Sequence, residues 1–378
     1  MHRTSQQFAS IVGRVGSRRR TAVAVWVLVC TVVAADAAPL QSPVQTKADR
    51  RLQERFEEAR RKEGEALVAL ADAAMDGRGA TDFSIQWRND FLKAQNGTFV
   101  PFTLTVDRSS LTAASLLMYV RAARRDAQSP PRGRGGFVRY PFDIIFPVDL
   151  SAPEGQALRI TRGFAVPAGD YDVYVALRER AADPLGAEPR LRAAVLKQPL
   201  TVPDFWAGEL TASTVILADR IDTLPASIAG DEVLERPYVV GQNEIHPAAG
   251  TSFRKDRELI VVFLIYNPTV STEKNFDVQV DYHLFRRMPA GTAEIAPAAG
   301  QPAARAGERY VTRTNPQRFT PPLMGGHFDP AAGQPMLAGQ GILLSSFQDG
   351  EYRLGITVTD LLSRKTVLRD VTFTVVGS

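Results

Sequence analysis

Histidine and acidic residues in two turn-rich loops are the best candidates for chemistry in this 378-residue chain. Glu244 and His246 stand two residues apart, and His327 and Asp329 have the same spacing. Imidazole and carboxylate groups bind zinc, so a fold that joined the two loops could form a metal site. Nothing in the spacing requires this, and we predict no metal site. His283 lies on the polar side of an alternating segment, where we expect a surface residue.

Motifs for nucleophilic catalysis and nucleotide binding are missing from the sequence. It has no G-x-S-x-G elbow, no H-E-x-x-H pair, no P-loop and no G-x-G-x-x-G turn. The glycines at 133–136 neither follow a predicted strand nor open a helix. The acidic pairs Asp170/Asp172 and Asp231/Glu232 stand in turns, where aspartate bonds the local backbone. We predict a protein that is not an enzyme, with no catalytic residues, no cofactor and no metal ligands.

Aromatic side chains offer a different kind of site. Tryptophan and tyrosine rings stack on sugars when they are exposed in a row, but in β-sandwiches they more often belong to the core. The candidates are Trp87, Trp206, Tyr119, Tyr140, Tyr238 and Tyr310. A carbohydrate-binding module is therefore an alternative function.

The first 37 residues are predicted to be a cleavable signal peptide. Five arginines precede or begin a short apolar run, which closes on the A-x-A pattern of 35–37. The run is shorter than the roughly 20 residues that a transmembrane helix needs. The alternatives are a retained N-terminal anchor, a twin-arginine signal at 17–20 and a lipidated Cys30. The residues flanking 17–20 and Cys30 do not match those two signals, so ordinary export to the periplasm or the exterior is favoured.

Removing this segment changes the charge of the protein. The whole chain has a net charge of +4. Residues 1–37 hold five arginines and one aspartate, which is also a net charge of +4, so the mature chain is neutral. The attraction that dominates nucleic-acid binding is therefore missing, and we exclude nucleic acid as a partner. Cys30 is the only cysteine, so the mature protein has neither a disulfide nor a thiolate.

Residues 38–80 are predicted to form a linker and one charged amphipathic helix. Over 46–76, apolar residues recur at three- and four-residue steps among charged ones, and Gly77 ends the pattern. The apolar stripe is narrow and is broken at Glu63-Gly64. We expect a solvated helix that lies on a domain. An oligomerising stalk is the alternative, although few clean heptads support it.

From Asp82 onward the hydrophobic period changes to two. Segments such as 102–106, 171–177, 276–284 and 352–358 alternate apolar and polar residues. This pattern is typical of antiparallel strands that bury one face.

An internal repeat runs through these strands. Residues 167–179 and 348–360 each open on a Gly-acid-Tyr turn and continue as an alternating strand to a charged end. Residues 91–106 resemble 253–266 more loosely. We predict a mainly β protein with two immunoglobulin- or fibronectin-like β-sandwich domains behind one N-terminal helix. Small barrels share this signature and are the alternative fold.

The predicted domains are 81–221 and 222–378. An Ala/Pro/Gly-rich insertion at 288–340 interrupts the second, with disorder expected over 288–307. A flexible loop is expected at 126–136 in the first.

Several of these segments are similar to a known family. The runs at 167–175, 200–205, 210–219, 349–360 and 371–375 resemble the C-terminal region of secreted VWFA-related proteins of Acidobacteria. In that family sandwich-like parts follow a von Willebrand A domain. The resemblance spans about residues 82–378 and rests on motifs that are general to sandwiches.

The von Willebrand A domain itself is not implied. Its metal loop needs D-x-S-x-S, and the nearest match at 107–111 ends in Leu111 where the second serine belongs. The resemblance therefore implies only the accessory sandwich region, without the metal-dependent adhesion site.

Together these features predict a non-enzymatic exported β-sandwich protein. We expect a protein-binding or structural module of the cell envelope, with protein partners there and no transmembrane helix after signal cleavage. The alternatives are a carbohydrate-binding accessory module and a hydrolase with an unrecognised site.

Overall fold

The computed structural model describes residues 47–126, 139–150, 157–186, 190–289, 301–325 and 328–377. The predicted signal peptide and nearly all of the predicted loop at 126–136 lie outside the described residues. Within the described part, twenty strands form two β-sandwiches behind one long helix, which confirms the predicted fold class.

The predicted helix is present as Lys47–Met75 (α1). Gly77 ends it in the left-handed conformation, with φ 81°. The N–H of Gly77 donates to Ala74 at 3.1 Å, and that of Arg78 donates to Ala73 at 2.7 Å. This Schellman pattern satisfies carbonyl groups that the end of a helix otherwise leaves free.

In the part of the chain that the structure describes, the first sandwich has eight strands. In chain order they are Gln86–Asn89 (β1), Leu92–Ala94 (β2), Gly97–Asp107 (β3), Ser115–Arg124 (β4), Phe142–Asp149 (β5), Ala157–Val166 (β6), Gly169–Glu179 (β7) and Ala193–Val202 (β8). In one sheet β3 is central, with β6 on one side and β1 and β2 in line along the other. The other sheet has the order β5-β4-β7-β8, with every pair antiparallel. Both sheets bury alternate residues in a shared core.

The second sandwich has twelve strands among the described residues and two one-turn helices. The strands are Thr211–Ala212 (β9), Ile216–Thr223 (β10), Val239–Val240 (β11), Asn243–Pro247 (β12), Ser252–Arg254 (β13), Glu258–Tyr266 (β14), Val278–Arg287 (β15), Glu308–Arg313 (β16), Gln317–Phe319 (β17), Met336–Leu343 (β18), Gly350–Asp360 (β19) and Thr366–Val376 (β20). The helices are Glu232–Glu235 (α2) and Pro321–Met324 (α3). In one sheet β14 is central: β18 pairs with one of its edges, and β9 and β10 pair with the other. Beyond β10 the sheet continues with β12, which pairs with β10, and β11, which pairs with β12. The other has the order β13-β20-β19-β15, with β16 and β17 beside β15.

The two sandwiches repeat one arrangement. In one sheet of the first sandwich β3 lies between β6 and β1, and in the matching sheet of the second β14 lies between β18 and β10. In the other two sheets the order β4-β7-β8 of the first sandwich corresponds to the order β15-β19-β20 of the second. The sequence segments recognised as repeats therefore occupy equivalent places.

Each copy contains the same corner. The Tyr171 hydroxyl donates to the Pro167 carbonyl at 2.9 Å, and the Tyr352 hydroxyl donates to the Gln348 carbonyl at 2.8 Å. The glycines two residues before the tyrosines adopt φ 140° and 143°, which residues with a Cβ rarely reach. A tyrosine bonded back across this corner is a hallmark of immunoglobulin-like sandwiches.

A buried carboxylate closes the far end of each of these strands. Glu179 and Asp360 are 1% and 0% exposed. Glu179 accepts from the N–H groups of Thr112, Ala113 and Arg192 and from the Thr112 hydroxyl. Asp360 accepts from the N–H groups of Thr269, Leu362 and Ser363. Burial raises the pKa of each carboxyl, but these hydrogen bonds outweigh it and bring the pKa below its usual range.

The boundary predicted between residues 221 and 222 is wrong. Strands β9 and β10 pair with β14, so they belong to the second sandwich. The boundary lies between Val202 and Thr211. The alternating pattern shows that 210–219 is a strand, but it does not show which sheet contains it.

The insertion predicted at 288–340 is also wrong over much of its length. Strands β16 and β17 pair with β15, and β18 pairs with β14 over eight residues from Met336 to Leu343. These strands complete both sheets of the second sandwich. Residues 290–300 lie outside the described residues.

The sandwiches meet through one sheet of each. A buried apolar cluster joins them, made of Leu92, Phe99, Phe205, Ile216, Ala218, Tyr238, Ile245, Val262, Leu264 and Tyr266. Within it the Tyr238 hydroxyl donates to Asp90 Oδ2 at 2.7 Å. Burial raises the pKa of Asp90, although this hydrogen bond lowers it in part. The junction is therefore an apolar interface that also contains buried polar contacts, such as this pair and the hydrogen bond from the Lys93 N–H to the Tyr266 hydroxyl at 3.0 Å.

Candidate interaction surfaces

The first pair of candidate metal ligands is occupied by other partners. His246 Nε2 lies 2.8 Å from Asp222 Oδ2 on the neighbouring strand. Glu244 accepts two hydrogen bonds from Arg236, at 3.0 and 2.6 Å, and that guanidinium lowers the pKa of the carboxyl. Within the described residues, no group of three or more His, Cys, Asp or Glu side chains is placed to hold a metal.

Two other acidic candidates cap short helices. Asp329 accepts hydrogen bonds from backbone N–H groups at the start of the 3₁₀ helix Pro330–Ala332. Its companion His327 lies outside the described residues. Asp107, the first residue of the incomplete D-x-S-x-S pattern, accepts from the Ser109 N–H at 3.0 Å. Both carboxylates therefore have a local structural role.

His283 is not the surface residue that its strand position predicts. Its side chain is half-buried, and its ring centroid lies 6.0 Å from that of Tyr310. Burial lowers the pKa of the imidazole because the charged form loses its hydration. The difference arises from β16, which supplies Tyr310 and which the sequence did not predict.

The candidate aromatic residues do not form an exposed row. Tyr119 and Tyr238 are buried, and Trp87 is half-buried with its ring stacked 4.4 Å from that of Phe102. Tyr140 and Tyr310 are also half-buried, which leaves only the sixth candidate, a tryptophan, exposed.

That tryptophan, Trp206, lies in the segment that connects the two sandwiches and binds it to the first sandwich. Its side chain is 50% exposed, but its Nε1–H donates to the carbonyls of Ala94 at 2.9 Å and Gly97 at 3.2 Å. Lys93 Nζ lies 4.0 Å from the ring centroid and covers one face. One face of the ring and its N–H group are therefore occupied by contacts within the chain.

Helix α1 is anchored by its C-terminal half. Leu67 and Ala71 are fully buried against Tyr119, Tyr174 and Ala176, on the outer face of the β5-β4-β7-β8 sheet. This confirms the prediction of a helix that lies on a domain.

A buried arginine fixes this anchor. Arg121, which is 3% exposed, donates to the Asp72 carboxylate on the helix and to the Tyr119 hydroxyl at 2.8 Å. Its guanidinium also lies 4.1 Å from the centroid of the Tyr140 ring. A charge this buried is stable only with such partners, so the helix and the sheet are held in one register.

The N-terminal part of α1 extends beyond the anchor. Every residue from 47 to 58 is exposed. Leu52 and Phe56 are 47% and 37% exposed, and they continue the stripe that buries Leu67 and Ala71, because three- and four-residue steps stay on one helix face. An apolar stripe thus runs from the packed half of the helix into solvent.

A groove of about 400 Å³ lies beside this stripe, between α1 and the loop that follows β7. Small and apolar side chains line much of it: Ala59, Ala66, Ala181, Pro184, Leu185 and Leu191. Sequence reasoning missed the groove because its two walls are more than a hundred residues apart along the chain.

The acidic residues around the groove have partners within the chain, whereas two of its arginines have no carboxylate partner in the part of the chain that the structure describes. Glu58 and Glu63 form ion pairs at 3.0 and 3.1 Å, and Asp183 accepts a backbone N–H of its own loop at 2.9 Å. Arg55 and Arg178 have no carboxylate partner among the described residues. The groove therefore combines an apolar floor with two cations that remain available.

The fold and these surfaces define a protein of two packed β-sandwiches with a helix laid across the first. No family model matches the sequence, and no curated protein matches it. Solved structures of bacterial alpha-2-macroglobulin are weakly similar. The Salmonella protein reacted with methylamine has 10% identity and a TM-score of 0.19 over 78% of this chain and 16% of that one. The native E. coli protein has 11% identity and a TM-score of 0.28 over 79% of this chain and 26% of that one.

This chain thus spans about a quarter or less of the length of those structures. TM-scores this low assign neither fold nor function, so the architecture rests on the strand pairings described above.

Proposed function

We propose that this protein is an exported, non-enzymatic β-sandwich protein that binds a protein partner at the cell envelope through the groove beside α1. The exposed apolar side chains of Leu52 and Phe56, on the same stretch of α1 as the groove-lining Arg55 and Ala59, are the observation that carries the proposal. Leaving such side chains in water is unfavourable, and a partner that covers them gains their burial.

The form of the groove supports a protein as the ligand. A helix face beside a loop offers the apolar anchors and the charged rim that protein interfaces combine. The carbohydrate alternative lacks an exposed row among its candidate aromatic residues.

Export is supported by the sequence of residues 1–37, which predicts a signal peptide. Among the described residues, no helix combines the length and apolar character needed to cross a membrane. The resemblance to the accessory region of VWFA-related proteins also favours an envelope protein. N-terminal sequencing of the secreted form tests the cleavage after Ala37.

The binding proposal is tested by affinity capture from envelope extract of the producing organism, with residues 38–378 as bait. The wild-type chain is compared with the double variant Leu52→Ala, Phe56→Ala, which keeps good helix formers on the helix. We expect a specific protein on the wild-type bait and at least about tenfold less of it on the variant.

The matched control is Leu343→Ala, Leu368→Ala, which truncates two leucines on the second sandwich that are 65% and 69% exposed. It should retain the partner in full. Recovery that is equal on all three baits, or the absence of any specific protein, would contradict the proposal.

A further inference from the structure

A second concave site lies at the junction of the sandwiches. It is a cleft of about 190 Å³ between the outer face of the β1-β3-β6 sheet and the turn after β12. Polar side chains from three neighbouring strands meet there, since Thr105 lies opposite Gln86 on β1 and opposite Arg159 on β6. Arg88 lies opposite Thr103 in the next row.

The two arginines converge on one short stretch of backbone. Arg88 Nη1 donates to the Ala248 carbonyl at 3.0 Å, and Arg159 Nη2 lies 3.4 Å from the Pro247 carbonyl. These carbonyls belong to adjacent residues, whose Cα atoms are about 3.8 Å apart. Both guanidinium groups therefore reach the turn after β12, and both arginines line the cleft.

The lining of the cleft contains cations and no carboxylate. Among the described residues neither Arg88 nor Arg159 forms an ion pair. Asp90, two residues from Arg88, is buried in the junction, where it accepts the Tyr238 hydroxyl and where the charge of Arg88 partly offsets the effect of burial on its pKa. An anion in the cleft would therefore be attracted by two guanidinium groups and would meet no carboxylate in the lining.

Donors remain available for such an anion. A guanidinium has five N–H groups, and each arginine uses one of them on a carbonyl. The half-buried Thr105 hydroxyl and the exposed Gln86 amide add further donors. Arginine forks match the oxygen pairs of carboxylate and phosphate groups.

We propose that this junction cleft binds a small oxyanion, a carboxylate or phosphate group on a small molecule, held between Arg88 and Arg159. The volume of the cleft admits such a group with a few carbon atoms. Because the ligand would contact both sandwiches, it would stabilise their junction as well as occupy a site.

Calorimetric titration of residues 38–378 with succinate and with inorganic phosphate, at constant ionic strength, tests the proposal. We expect saturable binding at one site by at least one of the two, and none by the neutral succinamide. The tighter of the two anions identifies the group that the cleft prefers. Arg159→Gln should weaken binding at least about tenfold, since it removes a charged hydrogen-bond donor.

Two further variants make the result specific. Because Arg159 is exposed, its replacement leaves the fold intact. The variant Thr105→Val should also weaken binding of the anion, although both arginines stay in place. Arg220→Gln, which removes an exposed arginine paired with Asp222, should bind as the wild type does. Absence of saturable binding, or equal affinity of wild type and Arg159→Gln, would overturn the proposal.

Discussion

Tyr171 and Tyr352 each close a sandwich corner with one hydroxyl hydrogen bond inside a buried setting. Tyr171→Phe and Tyr352→Phe keep the rings and remove those bonds. We expect each to lower the free energy of unfolding by about 1 kcal/mol. Urea denaturation measures this, and Tyr310→Phe is the control, because the Tyr310 hydroxyl has no hydrogen bond among the described residues. Equal stability of all three variants would contradict the assignment.

Glu179 and Asp360 make the stability depend on pH. Their pKa values lie below the usual range in the folded protein and return to about 4 when the chain unfolds. The stabilisation is therefore complete above the unfolded pKa and is lost as the pH falls through the folded pKa. Glu179→Gln with Asp360→Asn should cost about 1–3 kcal/mol per site at neutral pH.

The same double variant should lose less stability than the wild type between about pH 6 and pH 3. Denaturation midpoints at the two pH values provide the measurement. Asp231→Asn, at an exposed carboxylate, should keep the wild-type profile. A double variant whose pH profile matches the wild type would show that the two carboxylates are not responsible.

Some of these residues were visible in the sequence, and others were not. The Gly-acid-Tyr turns could be predicted, because a left-handed glycine and a tyrosine recur at the same spacing. The charged ends of the two strands were also visible. The burial of these carboxylates could not be predicted from the sequence, because the N–H groups that donate hydrogen bonds to Glu179 come from two separate loops.

At the scale of elements, two of the leucines of α1, Leu52 and Leu67, allow a matched test of how the helix is anchored. Leu67 is fully buried on the sheet, whereas Leu52 is 47% exposed. Leu67→Ala should cost about 2–4 kcal/mol, because it removes buried methyl groups and leaves a cavity. Leu52→Ala should change stability by less than about 0.5 kcal/mol.

Hydrogen exchange of the α1 amides is the measurement that separates the two variants. Faster exchange in the C-terminal half is expected with Leu67→Ala alone, because only that half is held by packing. Similar exchange in both variants would show that the helix is not anchored through Leu67.

The periodicity of α1 predicted its limits well, but not the reason for its break at Gly64. A Cβ on Gly64 would lie 3.3 Å from Ile145 Cδ1, so the glycine marks a close approach to the edge strand β5. That approach depends on tertiary packing. Strand β18 was missed for a different reason, since Gly339 and Gly341 obscure its alternation.

For the whole molecule, the sequence showed two copies but placed their boundary too late. The pattern of 210–219 identifies a strand, while only its pairing with β14 assigns it to the second sandwich. The same pairing brings Ile216 and Ala218 into the junction, so the error in the boundary also concealed the interface.

This interface predicts that the two sandwiches unfold together. Independent domains usually meet through small polar contacts, whereas here a buried apolar cluster and the Asp90–Tyr238 hydrogen bond join them. Scanning calorimetry of residues 38–378 should show one transition with equal calorimetric and van't Hoff enthalpies. Tyr238→Asp places a second carboxyl beside the buried Asp90, so it should separate that transition into two.

The control for this separation is Tyr310→Asp, which adds an acid to the second sandwich away from the junction and should keep one transition. Two transitions in the wild-type chain would mean that the apolar cluster does not couple the sandwiches. One transition in all three chains would instead place the coupling outside Tyr238. A separation in Tyr238→Asp alone would locate it at the pair, because only that variant places the new charge at the junction.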